Sequence, residues 1–129
     1  MDLSSFGARA TAGTLRDAQG VVLSHVWTGA GVVAGAPING AQALHLSVAL
    51  CVLNDIYREA TRFGVEVAGV VVEADGGFDG DWRSTGIVYA VELESSASEA
   101  EQAHLLRVVD DVAEIPRAIR AGASVNRHP

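Results

Sequence analysis

The longest apolar run of the chain constrains its fold most strongly. This run extends from Ala43 to Leu53, and a more polar stretch follows it as far as Gly64. Residues 41–63 have the length and composition of a helix, and glycine commonly follows the last helical turn. Apolar side chains on nearly every face of the first half require cover on all sides. We therefore expect a central helix that is buried at its start and exposed at its end.

The segments that flank this helix predict β-structure. Residues 1–27 have the pattern of an N-terminal hairpin, and residues 28–40 have the glycine-rich composition of a loop. Residues 65–129 contain two β-branched runs and then a helical pattern, which predicts a strand-strand-helix unit. This order is typical of a single α+β domain, with antiparallel sheets packed around the long central helix.

Composition narrows the kinds of partner that the chain can have. The formal net charge is −7, and the nine basic residues are scattered arginines, so we expect no nucleic-acid surface. No apolar stretch approaches the roughly 20 residues that span a bilayer, and the N-terminus lacks the pattern of a signal peptide. We expect no membrane association, a cytoplasmic location, and neither a cofactor nor a metal. The acidic loop 75–83 lacks the spacing of a calcium loop.

The apolar character of the central helix on all sides also predicts that the chain forms an oligomer. One small sheet in a chain of 129 residues can hardly cover every side of such a helix. A homodimer that buries the helix between its subunits would provide the missing cover. We therefore expect two copies of this chain to pair through the central helix.

Three segments, taken in order, resemble the OsmC/Ohr family of osmotically inducible and organic hydroperoxide resistance proteins. Residues 40–51 resemble the central helix of the family, which carries a reactive cysteine. Residues 64–73 resemble the strand after that helix, and residues 103–116 resemble a late helix that ends in a Cys-Pro pair. The resemblance implies an OsmC-like fold and an intertwined homodimer with reactive sites at the subunit interface.

The resemblance also implies a thiol chemistry for which this chain has only some of the required residues. In the family, a cysteine thiolate reduces a hydroperoxide, a second cysteine resolves the sulfenic acid, and an arginine and a glutamate assist. Cys51 corresponds to the first cysteine, whereas Ile115 stands in place of the second and Ala41 in place of the glutamate. Arg9 and Arg16 lie in the region of the family arginine. Reduction would then require an external thiol.

The central helix offers two further ionisable candidates. His45 is either a hydrogen-bonded core residue or an acid–base group, and it lies roughly 120° around the helix from Cys51. Asp55 follows Cys51 by one turn, where a carboxylate would raise the pKa of the thiol. Cys51 itself is either a small core residue or a protected nucleophile. The expected pocket-lining residues are Trp27, Gln42, Ser47 and Leu50.

These observations support two competing functions. The first is the thiol-dependent reduction of organic hydroperoxides through Cys51. The second is a repurposed scaffold that binds or converts a small organic molecule by non-redox chemistry in an apolar pocket at the dimer interface. A structural dimer without catalysis is the third alternative.

Overall fold

The order of strands and helices along the chain matches the α+β prediction. The computed structural model describes all 129 residues. Its elements are β1 (Ala8–Gly13), β2 (Val21–Leu23), β3 (Val32–Ala34), α1 (Gly40–Phe63), β4 (Gly69–Phe78), β5 (Ser84–Glu94), α2 (Glu99–Val112) and α3 (Glu114–Arg120). The five strands form one sheet in the order β2-β3-β1-β4-β5, and every neighbouring pair is antiparallel.

The central helix α1 begins within one residue of its predicted start and ends where predicted. The side chain of Asn39 accepts a hydrogen bond from the backbone N–H of Gln42 and caps the first turn. Gly64 adopts a left-handed conformation with φ of 67° and donates to carbonyls of the last turn. Although α1 is 24 residues long, neither it nor any other helix combines the length and apolar character needed to cross a membrane.

Helix α1 packs against one face of the sheet and is covered on another side by α2 and α3. The shared core includes Leu53 and Ile56 of α1, Ala10 and Ala12 of β1, Val70 and Val72 of β4, and Leu105 and Val109 of α2. Full burial of one such large side chain contributes about 1.5–3 kcal/mol to folding. The two C-terminal helices thus supply much of the cover that a small sheet alone cannot give.

The predicted hairpin over residues 1–27 is wrong in its pairing. Strand β2 does not pair with β1, because β3 lies between them and pairs with both. Ala34 of β3 lies opposite Ala10 of β1 on one side and Val21 of β2 on the other. The segment 28–40, which composition predicts to be a loop, therefore contains a strand. Its apolar residues are buried in the sheet, and this burial outweighs the glycines around them.

The C-terminal part follows its sequence pattern closely. Strands β4 and β5 form a long hairpin, with an irregularity between Gly76 and Phe78. The hydroxyl of Ser98 accepts from the backbone N–H of Glu101 and caps the first turn of α2. Helix α3 then begins at Glu114 and brings the chain back against α1.

Candidate functional site

One face of α1 carries a cluster of polar side chains that meets the start of α3. Cys51, Asn54, Asp55 and Arg58 are spaced three, four and seven residues apart, which places them on the same side of the helix. Asp55 is fully buried and Cys51 is only 8% exposed. The sulfur of Cys51 and carboxyl oxygens of Asp55 and Glu114 all lie within 4.8 Å of one another. We call these three residues the acid cluster.

The surroundings of Cys51 favour the neutral thiol. Burial raises the pKa of Cys51, and the nearby carboxyl groups of Asp55 and Glu114 raise it further. The backbone N–H of Ile115 donates to Sγ at 3.5 Å and acts in the opposite direction. Because burial and negative charge prevail, the thiolate is disfavoured. The structure agrees with the effect expected of a carboxylate one turn from the cysteine.

Asp55 is a buried carboxyl group whose surroundings shift its pKa in opposite directions. Burial raises its pKa, and the carboxyl group of Glu114 adds to this effect. The amide of Asn54 donates to Oδ1 at 3.2 Å, and Arg58 Nη2 lies 3.1 Å from Oδ2; both lower the pKa. The overall direction is upward, so Asp55 is suited to holding a proton that an exposed aspartate would release.

Arg58 supplies the positive charge of the site. Its guanidinium lies 3.1 Å from Asp55, 3.9 Å from Glu114 and 3.9 Å from Glu59. The side chain is 37% exposed, so solvent screens part of this attraction. The three atoms of the acid cluster are close enough to share a metal ion, but Arg58 already provides a cation beside two of them.

The two arginines expected from the resemblance lie elsewhere. Ala8 and Ala10 are buried on the α1 side of the sheet, so Arg9 between them faces the opposite side. There it pairs with Asp17 at 2.9 Å and with Glu73 at 3.6 Å. Arg16 donates to the carbonyl of Ala30 at 3.0 Å. Within the subunit, neither arginine is part of the cluster around Cys51.

His45 is part of the core between α1 and the β4–β5 hairpin. It is fully buried and its ring is stacked against Phe78. Nδ1 lies 2.8 Å from the carbonyl oxygen of Phe6, which can only accept, so Nδ1 carries the proton. Nε2 has no hydrogen-bond partner and is close to the backbone of Gly76. His45 does not join Cys51 in the acid cluster.

The four residues expected to line a pocket have separate structural roles in the subunit. The side chain of Gln42 accepts from the N–H of Ile38 and donates to the carbonyl of Gly7, which fixes the start of α1. The Ser47 hydroxyl donates to a carbonyl of its own helix. Leu50 packs against the core, and Trp27 is exposed between β2 and β3.

Sequence reasoning missed Arg58 and Glu114 as members of the site. The spacing of Cys51, Asp55 and Arg58 along one helix face was a usable signal for the arginine. Glu114 belongs to the site only because α3 packs against α1, and no local sequence pattern predicts that contact. Its position directly before Ile115, whose N–H reaches Cys51, links it to the site in space.

Comparison with known proteins defines the fold. No family model matches the sequence, and no curated protein matches it. Among solved structures, the chain is similar to an OsmC-like hydroperoxide resistance protein from Jannaschia sp. CCS1. The TM-score is 0.50 and the identity 20%, over 75% of this chain and 71% of the other. The chain therefore has the OsmC-like fold, and the resemblance found in the sequence is confirmed at that level.

Proposed function

We propose that this OsmC-like chain acts on a small organic molecule by non-redox acid–base chemistry at the acid cluster. The observation that carries this proposal is the pairing of a fully buried carboxyl, Asp55, with a largely exposed one, Glu114, beside Cys51. Glu114 is 64% exposed and is the member that a substrate can reach. This reverses the order of the two functions expected from the sequence, since the neighbours of Cys51 favour its neutral form.

The proton transfer can be followed through named groups. The proton that Asp55 holds passes by way of Glu114 to a basic atom of the substrate, and both carboxyl groups are then ionised. Arg58 lies beside both of them and stabilises the resulting charge. In the reverse direction the pair accepts a proton from the substrate. Cys51 contributes a neutral S–H group to the site.

Carbon-13 NMR titration of aspartate carboxyl groups tests whether Asp55 holds a proton as proposed. We expect Asp55, assigned through Asp55→Asn, to titrate at a higher pH than ordinary aspartates, because burial raises its pKa. Replacing Glu114 by glutamine removes a neighbouring negative charge and should lower the midpoint. Glu99→Gln at the exposed start of α2 is the matched control and should leave it unchanged.

Two results would contradict the proposal. An Asp55 midpoint at or below the ordinary aspartate value would mean that Arg58 keeps the carboxyl ionised. A midpoint insensitive to Glu114→Gln would mean that the two carboxyl groups do not act as a pair.

Hydroperoxide reduction is the second candidate, and one contact favours it. The backbone N–H of Ile115 donates to Sγ of Cys51, which helps to stabilise a thiolate. In this reaction the thiolate attacks the hydroperoxide, the O–O bond breaks, an S–O bond forms, and the departing alkoxide takes a proton to become an alcohol. Two equivalents of an external thiol then reduce the sulfenic acid, yielding water and a disulfide.

The pH dependence of Cys51 alkylation by iodoacetamide distinguishes the two candidates. We expect the midpoint to lie above that of an ordinary thiol, because burial raises the pKa of Cys51. Glu114→Gln should lower the midpoint and speed the reaction at neutral pH, whereas Glu99→Gln should not. A lowered midpoint in the unmodified protein, with rapid sulfenic-acid formation from cumene hydroperoxide, would instead establish the peroxidase function.

The proposed functional form is a cytoplasmic homodimer of this chain. Ala43, Ser47, Leu50 and Asn54 form a stripe along α1 that is not fully buried in the single subunit. Their spacing places them on one side of the helix, next to Cys51. A second copy packed on this stripe would enclose the site and limit its access to water.

A further inference from the structure

We propose that the cleft between α1, β5 and α3 binds a small organic carboxylate with an apolar body. This inference goes beyond the proposed function and does not depend on it, because none of the acid cluster lines the cleft. The cleft is lined by residues that include Val48, Ser84, Ile87, Pro116, Ile119 and Arg120.

The size and walls of the cleft define the body of the ligand. Its volume is about 240 Å³, just below the roughly 300 Å³ at which sites for drug-sized ligands begin. Val48, Ile87 and Ile119 come from three different elements and give it apolar walls. A single aromatic ring or a short branched chain fits this space and gains from leaving water.

Arg120 is the charged side chain that lines the cleft, and Ser84 adds a hydroxyl group. Arg120 donates from Nη1 and Nη2 to the carbonyl and carboxylate oxygens of Asp110, at 3.0 and 2.9 Å. Tyr89 donates to the same carboxylate, so the guanidinium is held in place by a shared anchor. Two of its five N–H groups are used, and the side chain is 54% exposed.

The hydroxyl of Ser84 has a proton to offer a ligand. Its oxygen accepts from the backbone N–H of Gly86 at 3.1 Å, which leaves the O–H free to donate. A carboxylate in the cleft can accept from the remaining N–H groups of Arg120 or from the hydroxyl of Ser84. Charge-assisted hydrogen bonds of this kind are about twice as strong as those between neutral groups.

The position of the cleft relates its occupant to Cys51. Val48 precedes Cys51 by one helical turn. Pro116 directly follows Ile115, whose N–H binds the sulfur of Cys51. A bound molecule therefore rests against the same two elements that hold the thiol.

The experiment is an NMR titration of the full chain with phenylacetate and, in parallel, with its neutral analogue phenylacetamide. We expect phenylacetate to shift the signals of Val48, Ile87 and Ile119 and to bind at least about tenfold more tightly than the amide. Arg120→Gln should remove this preference. Arg117→Gln, on the same helix but outside the cleft, is the matched control and should preserve it.

A second variant separates loss of the cleft from loss of the fold. Ile119→Trp fills the cleft and should abolish binding while the dispersion of the remaining signals is retained. Equal affinity for the acid and the amide would overturn the carboxylate assignment. Binding of neither probe, or shifts confined to other parts of the chain, would overturn the proposal as a whole.

Discussion

Arg58→Gln is expected to lower the free energy of unfolding by about 2 kcal/mol at neutral pH, and by much less in acid. Removing one member of a buried ion pair costs about 3–5 kcal/mol, and the partial exposure of Arg58 reduces that figure. Burial places the pKa of Asp55 above its unfolded value. Its contribution to stability is therefore complete at low pH and is lost as the pH rises through the raised pKa. Without Arg58 that pKa rises further, which deepens the loss at neutral pH.

Urea unfolding at a series of pH values measures this effect. Arg83→Gln is the matched control, because Arg83 pairs with acidic groups on an exposed loop and should contribute less than about 1 kcal/mol. In the background of Asp55→Asn, the cost of Arg58→Gln should largely disappear. A loss that is the same at every pH, or that persists with Asp55→Asn, would show that the contact with Asp55 does not account for the stability that Arg58 provides.

Gly13→Ala is expected to destabilise the protein by about 3 kcal/mol. Gly13 ends β1 with φ of 65°, a conformation that costs an L-residue about 1–2 kcal/mol. A methyl group there would clash with the carbonyl oxygen of Ala68 and lie 3.0 Å from the hydroxyl of Tyr57. Overpacking of a close contact adds about 1–3 kcal/mol. Chemical denaturation of the variant, with the unmodified chain as reference, measures the sum.

Gly64→Ala is a matched control for the steric part of this effect. Gly64 has nearly the same φ, 67°, but no heavy atom lies within 4 Å of the position that a methyl group would take. We expect this substitution to cost only the conformational part, about 1–2 kcal/mol. Equal losses at the two positions would mean that backbone conformation alone accounts for the effect, and that Gly13 is not packed tightly against Ala68.

The central helix was predictable because its signals are local. An apolar run, a polar continuation and Gly64 determine where α1 lies, and the serine-glutamate spacing at Ser98 does the same for α2. Strand β3 has only three residues and no distinctive pattern. It is stabilised by pairing with β1 and β2 at once, which is a property of the assembled sheet and not of the segment.

In the candidate site, too, the contacts within one helix could be predicted from the sequence, whereas the contacts between helices could not. Cys51 and Asp55 could be related from their separation by one helical turn, and the effect of the carboxyl on the thiol followed from that spacing. The contribution of Glu114 could not be predicted, because it depends on how α3 returns to α1. The position of Arg9 within the subunit could not be predicted, because the resemblance indicates a region of sequence, whereas strand alternation decides which side of the sheet a side chain faces.

The division of the acid cluster between two helices has an evolutionary consequence. Cys51, Asp55 and Arg58 belong to one continuous helix, so the geometry of that helix fixes their backbones relative to one another. Glu114 alone arrives on a separate seven-residue helix. Changes in the short connection from α2 to α3 can therefore exchange the exposed carboxyl group while the buried charge pair stays intact. The exposed member of the acid cluster can thus vary through a small, peripheral part of the chain.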